Sequence, residues 1–187
     1  MDPFSQAERA IDGDPDAVRA LWESHRRWVA AIVLAHMPRD AELEDLLQEV
    51  AMRVVKQIHR VRDPAAVRPW LRSVAINVAR TAGRRHMVRL RLVRTESSAT
   101  EDAAGGPDRP ALATVEEGRR ALAAAQRLRP EYREPLILQC VRGMSYRQIA
   151  EALGVPVTTI ETRLARARRM LREELEREGA ALEGTGA

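Results

Sequence analysis

Asp45 and Glu49 stand four residues apart, a spacing that puts two carboxylates on one face of a helix. Such a pair can hold a metal or divide acid and base work, so the residues around it decide. His25, His36, His59 and His86 are scattered, and no second carboxylate pair stands at ligand spacing. No phosphate-binding glycine loop or nucleophile triad can be assembled either. The expectation is therefore a non-enzyme with no metal, no cofactor and no catalytic residues. Cys140 is the single cysteine, so no internal disulfide forms and a cytoplasmic setting fits. It falls on an apolar helical stripe, where a small buried hydrophobe is expected.

A pattern with chemical use does occur near the C-terminus. If Ile160, Leu164, Ala167 and Leu171 face inward on a helix, then Thr158, Thr162 and Arg169 face outward. Thr159 and Arg166 then lie on the flanks, and Arg163 and Arg168 on the shoulders. Short polar groups first and arginines further along suit contact with base edges and then with phosphates. Arginine bidentate to guanine is the commonest specific contact. Glu161 sits among these groups; phosphate would repel it, but it can accept from a cytosine amino group or pair with a neighbouring arginine. Arg172, Glu173, Glu174 and Glu176 read as a solvated charged face.

The residues ahead of that helix supply a frame for it. Ser145 suits a helix cap, Ile149 and Leu153 an inward face, and Ala150 a close crossing. Gly154 suits a turn that needs positive φ, and Pro156 sets the approach to the second helix. Val155 and Ile160 close the core from the other side. This is a helix-turn-helix over Ser145 to about Arg169, and an αα-hairpin with no DNA role is its plainer alternative.

The rest of the chain must hold this frame. Its 187 residues are 45% hydrophobic but only 3% aromatic, so Leu, Val, Ile and Ala must build the cores. Net charge is +4, and Lys56 is the only lysine among the basic residues. Asp14-Pro15 predicts a helix start, and Val18, Leu21, Trp22, His25, Val29, Ile32 and Val33 form its stripe up to Pro38. A second start is expected at Asp40, with Leu43, Leu46, Leu47, Val50, Val54 and Ile58. Asp63-Pro64 repeats the capping pattern ahead of Val67, Trp70, Leu71, Val74, Ala75 and Val78. These make a bundle of three or four helices ending near His86, with Arg80, Arg84, Arg85, Arg89, Arg91 and Arg94 running out of it.

The composition then shifts to Ser, Gly and Pro between Thr95 and Pro110, as in a flexible linker. A second helical block begins near Ala113. Val115, Leu122 and Leu128 lie on one helix, and Tyr132, Leu136, Ile137 and Val141 on the next, stopped by Gly143. The predicted fold is all-α: two small helical domains joined by a flexible linker, the C-terminal one containing the helix-turn-helix. The boundaries are 1–94, a linker over 95–112, 113–178, and a frayed tail over 179–187. No 18-residue apolar stretch and no targeting segment occur, so no membrane insertion is expected.

Three stretches together resemble the sigma-70 class of bacterial RNA polymerase sigma factors, in particular the small extracytoplasmic-function (ECF) type with two domains, numbered two and four. Asp45-Leu46-Leu47-Gln48-Glu49-Val50 is similar to the domain-two helix that docks on the polymerase. Arg68-Pro69-Trp70-Leu71-Arg72, running on to Asn77, is similar to the helix that reads and melts the −10 element. Leu128-Arg129-Pro130-Glu131-Tyr132-Arg133-Glu134-Pro135-Leu136, continuing through Ser145-Tyr146 to Ala167-Arg168, is similar to domain four, which reads the −35 element. The likeness covers nearly everything except the linker and both ends.

The resemblance implies a promoter-specificity subunit that binds core RNA polymerase and directs transcription initiation. Asp45, Gln48 and Glu49 would meet the clamp helices of the largest subunit. Arg68, Arg72, Asn77, Arg80, Arg84 and Arg85 would handle single-stranded −10 DNA. Thr158, Thr159, Thr162, Arg163, Arg166 and Arg169 would read the −35 duplex. An anti-sigma factor is a candidate partner. Trp70 is open to two roles, base stacking or, better suited to its place in the stripe, core packing. Two other classes also account for a helix-turn-helix: a regulator that binds duplex DNA without joining the polymerase, and a helical adaptor whose arginines are solvated surface.

Overall fold

A computed structural model describes residues 3–39, 41–93 and 109–184. All regular structure among them is helical. The first helix, α1 (Pro3–Ile11), was not among the expected stripes; it is short, and Ala7 and Ala10 pack it against the next helix. Asp14 caps α2 (Pro15–His36), its carboxylate accepting from the backbone N–H groups of Asp16 and Ala17, with Pro15 at the first helical position. Arg9 reaches back to the same carboxylate at 2.5 Å and holds its pKa below the ordinary value.

The second stripe folds as α3 (Leu43–Gln57), and Ile58–Arg60 tighten into a 3-10 turn. Glu42 precedes α3 without a side-chain cap bond, and the start expected at Asp40 lies outside the described residues. Asp63 does act as a cap, but of a single 3-10 turn, Pro64–Ala66, which feeds α4 (Val67–Val93). Helix α4 passes the predicted end at His86 and carries Arg80, Arg84, Arg85, Arg89 and Arg91; Arg94 lies outside the described residues. In α2 the largest buried side chain is Trp28, 5% exposed, whereas Trp22 in the predicted stripe is only half-buried.

In the C-terminal half α5 spans Arg109–Arg127, so residues 109–112, assigned to the linker, form its first turn; linker residues 95–108 lie outside the described residues. It is followed by α6 (Pro130–Arg142), α7 (Tyr146–Leu153) and α8 (Val157–Gly184). Helix α8 continues through residues 179–184, where fraying was expected. Gly143 closes α6 at φ +61° and Gly154 closes α7 at φ +66°, the left-handed conformation that ends a helix without a Cβ penalty. Cys140 is exposed, as is Val141 at 53%, because the buried face of α6 is Glu134–Leu138, one turn earlier.

The two halves do not stand apart. Helix α6 packs against α2 of the N-terminal bundle, and the buried side chains of both halves form one continuous cluster. Ile32, Val33 and Ala35 of α2 and Leu136, Ile137 and Leu138 of α6 all belong to it.

Candidate nucleic-acid and polymerase interfaces

The helix-turn-helix is held by local and cross-helix devices. Ser145 accepts from the Gln148 N–H while the Gln148 side chain accepts from the Ser145 N–H, a reciprocal capping box at the start of α7. Ile149, Ala150, Ile160, Leu164 and Ala167 are buried, as their spacing predicts. Arg168, assigned to a shoulder, instead ties three helices: its Nη2 donates to Gln139 Oε1 of α6 at 2.8 Å and to the Tyr146 phenol of α7 at 3.1 Å. Its hydrogen bond is the main cause holding the Tyr146 phenol below its usual pKa.

With the inward face packed, α8 presents its other face in the expected order. Thr158, Thr159, Thr162, Arg163 and Arg166 border one open cleft, with Glu131 and Tyr132 of α6 across it. Thr158, Thr162 and Arg166 are exposed, and Thr159 and Arg163 are half-buried. The Thr162 hydroxyl donates to the Thr158 carbonyl at 3.0 Å and keeps its acceptor lone pairs outward. Arg169 does not border this cleft; it lies 3.6 Å from Glu173, one turn further along α8.

The N-terminal arginines are less uniform than their spacing suggests. Arg68 lies over the Trp28 ring, 5.2 Å from its centroid. Arg72 is engaged by Glu134 of α6. Asn77 and Arg80 are exposed and border the cavity between the two halves. Arg84 donates to the Thr81 hydroxyl at 2.9 Å, and Arg85 stands 3.9 Å from Glu49. Trp70 is half-buried against the core, consistent with packing.

The acidic ridge also divides. Asp45 and Gln48 are exposed along a cleft they share with Trp22, Arg26 and Glu44. Arg26 is bound to Glu44 at 2.8 Å. Glu49 does not border that cleft. It is half-buried, 2.6 Å from Arg53, and turned toward Arg85.

Residues 21–88 match Sigma-70 region 2, and residues 118–171 match Sigma-70, region 4, in the order of the two halves described above. The RNA polymerase sigma factor CarQ of Myxococcus xanthus is 34% identical over 171 residues, covering 90% of this chain and 94% of CarQ. The chain belongs to the sigma-70 family of RNA polymerase sigma factors.

Its ECF character is shown by the ECF RNA polymerase sigma factor SigX of Bacillus subtilis, 30% identical over 76% of this chain and 76% of that one. A probable RNA polymerase sigma factor of Xanthomonas campestris, RfaY, is 35% identical over 79% of this chain, which spans only 37% of its length. Among solved structures, CnrH in complex with the cytosolic domain of CnrY aligns with a TM-score of 0.61 at 22% identity, covering 94% of this chain and 98% of that one. The sigma factor RpoE in complex with the anti-sigma factor NepR from Bartonella quintana aligns at 0.55 and 22% identity, over 84% and 96%. These two show the shared all-α fold.

A sigma factor is a promoter-specificity subunit and not an enzyme, so the carboxylate pair of α3 needs no catalytic role. Among the described residues no helix is long and apolar enough to cross a membrane. Sequence reasoning missed Glu134, His36 and the bracing role of Arg168. Glu134 and His36 are separated by 98 residues in the chain, and no periodic signal joins them.

Proposed function

We propose that this sigma factor joins core RNA polymerase through the Asp45–Gln48 edge of α3, reads the −35 duplex with α8, and engages the −10 strand with α4. The observation that carries the reading is the cleft along α8: five of the six side chains assigned to the −35 element converge there, in front of a rigidly braced helix-turn-helix. Thr158, Thr159 and Thr162 suit base edges near the helix start, and Arg163 and Arg166 suit guanine or phosphate beyond them. Asn77, Arg80, Arg84 and Arg85 are the exposed members of the −10 set, with Arg68 and Arg72 joining them once their present partners are released. An acidic edge meeting a basic surface sets register and encounter rate, which supports Asp45 as the leading polymerase contact and Glu49 as its support. An anti-sigma protein is the partner that would hold the factor idle, and the cytoplasm is where core polymerase is met.

The test is reconstitution: the purified chain is added to core polymerase with a mixed-sequence promoter library, and transcript start sites are sequenced. Start sites that share a −35 and −10 motif support the reading. Tight duplex binding without core, together with no initiation in its presence, would replace it with a duplex-binding regulator.

A further inference from the structure

We infer that Glu134 is an internal decoy for the −10 surface: by occupying Arg72 it clasps the free chain shut, and promoter reading requires that clasp to open. The inference rests on the assignment of Arg72 to the −10 strand proposed above.

Glu134 is the one charged residue buried among the described residues, with 4% of its surface exposed. It belongs to α6 of the C-terminal half, yet its partners come from the N-terminal half. Arg72 of α4 donates Nε to Oε1 at 2.7 Å and Nη2 to Oε2 at 2.6 Å, a two-point fork. His36 at the end of α2 places Nε2 3.2 Å from Oε2. The donors that Arg72 offers to this carboxylate are the same two that it would offer to a phosphate or a guanine edge. While Glu134 is seated, that two-point Nε–Nη2 edge is occupied and cannot serve DNA.

The cavity beside the clasp shows what else closure hides. It measures about 500 Å³ and is bordered by Arg72, Asn77 and Arg80 of the −10 set and by Arg163 of the −35 set. Promoter elements centred at −35 and −10 lie about 25 base pairs apart, about 85 Å of duplex at 3.4 Å per pair. Residues that share one small cavity cannot address both elements at once, so the closed arrangement is a resting state.

The contact is also built to yield. Arg133, next to Glu134, is half-buried, and burial together with the charge of Arg80 across the contact holds its pKa below the ordinary guanidinium value, with Glu134 opposing. Removing Glu134 therefore leaves Arg72, Arg80 and Arg133 without their buried counter-charge, and Glu131 at the cavity edge, paired with Arg129, as the nearest remaining carboxylate of the cavity lining. Among the described residues the other polar tie between the halves is exposed: Arg39 Nη2 donates to the Ala123 carbonyl at 2.7 Å. A buried ion pair adds little net stability after desolvation but loses much when one partner is withdrawn. That combination sets geometry firmly and leaves the closed state within reach of competition from DNA or polymerase.

The test uses the full chain with two spin labels, one on the native exposed Cys140 of α6 and one on Glu23→Cys of α2, read by pulsed EPR distance measurement. The unaltered clasp should give one short distance, and Glu134→Gln should add a long-distance population. Arg39→Ala, which leaves the buried triad intact, should shift it less and in the same direction; circular dichroism checks that each variant keeps its helices. With core polymerase, Glu134→Gln should reach half-maximal initiation at a roughly tenfold lower concentration if about a tenth of the native chain is open. An unchanged distance distribution in both folded variants overturns the clasp. Opening without a gain in initiation overturns its inhibitory role. No initiation by the native factor with core overturns instead the promoter reading on which that role rests, and the distances still judge the clasp itself.

Discussion

Arg168 of α8 donates to the phenol oxygen of Tyr146 on α7 at 3.1 Å, across the angle of the helix-turn-helix. The bond braces the helix that carries the residues proposed for the −35 element, although Arg168 itself does not border their cleft. Arg168→Ala should raise the Tyr146 titration midpoint toward the usual tyrosine value, because that hydrogen bond is the largest cause of its depression. Ultraviolet absorbance titration against a Tyr146→Phe control reads this directly. The same variant should weaken −35 binding across all sequences without changing which sequence is preferred. A changed preference would mean that Arg168 reads bases.

Arg163→Ala and Arg166→Ala should each weaken promoter binding by the polymerase complex. A residue bidentate to guanine costs about 1–3 kcal/mol and relaxes preference at one position. A residue on phosphate weakens all sequences alike and lowers the salt slope by about 1. Fluorescence anisotropy on single-base promoter variants at several salt concentrations separates the two outcomes. Unchanged affinity in both variants would remove α8 from the −35 element.

Asp45 and Glu49 should differ in their effect on polymerase affinity, although the sequence makes them look equivalent. Asp45 is exposed, whereas Glu49 is held by Arg53 at 2.6 Å. Asp45→Asn should therefore reduce affinity for core more than Glu49→Gln does, as measured by competition against a labelled sigma factor. An equal loss from both, or none from Asp45→Asn, would contradict the division of the ridge.

Acid should open the contact between the halves. Burial raises the Glu134 pKa, but hydrogen bonds from His36 and Arg72 and the charge of Arg72 outweigh it, and the net displacement is downward from 4.5. A depressed carboxylate stabilises the packed state fully above its unfolded pKa and loses that contribution as pH falls through the folded value. His36 of α2, Arg72 and Arg80 of α4, Glu131 and Arg133 of α6 and Arg163 of α8 are the charged or titratable groups around it. On account of Glu134 the short Cys140–α2 distance should hold well above pH 4.5 and lengthen only below it, a change that Glu134→Gln should abolish.

Gly154 and Ser145 set the turn and the cap of the helix-turn-helix. A Cβ at Gly154 meets open space, so only its φ of +66° opposes a side chain. Gly154→Ala should cost about 1–2 kcal/mol, and Gly154→Asn less. Ser145→Ala, which breaks the capping box, should cost about 1 kcal/mol. Denaturant melts of the full chain measure both; no loss from Gly154→Ala would mean that the turn relaxes to negative φ.

Much of the architecture was written locally. Asp14-Pro15, Ser145 with Gln148, Gly143 and Gly154 act on backbone groups within a few residues, and each does in the fold what its type and place suggest. The inward face Ile149, Ile160, Leu164 and Ala167 follows from helical period, and so does the outward order of Thr158, Thr162 and Arg166. Helix ends were less legible: α4 runs on through an arginine-rich segment and α8 through Gly179 to Gly184, with no proline to interrupt either.

By itself, then, the sequence determined a helical chain with a helix-turn-helix, an acidic ridge and an arginine-rich helix, since caps, period and residue type act at short range. Only the tertiary structure decided which of those groups are already engaged. Arg72 meets Glu134 across 62 residues and His36 meets it across 98. Cys140 turns out exposed because α6 spends its apolar face on α2. Two charges so far apart leave no periodic mark on either segment. What pairs them is the cost of burying a carboxylate without a partner, and that cost arises only once α6 has docked.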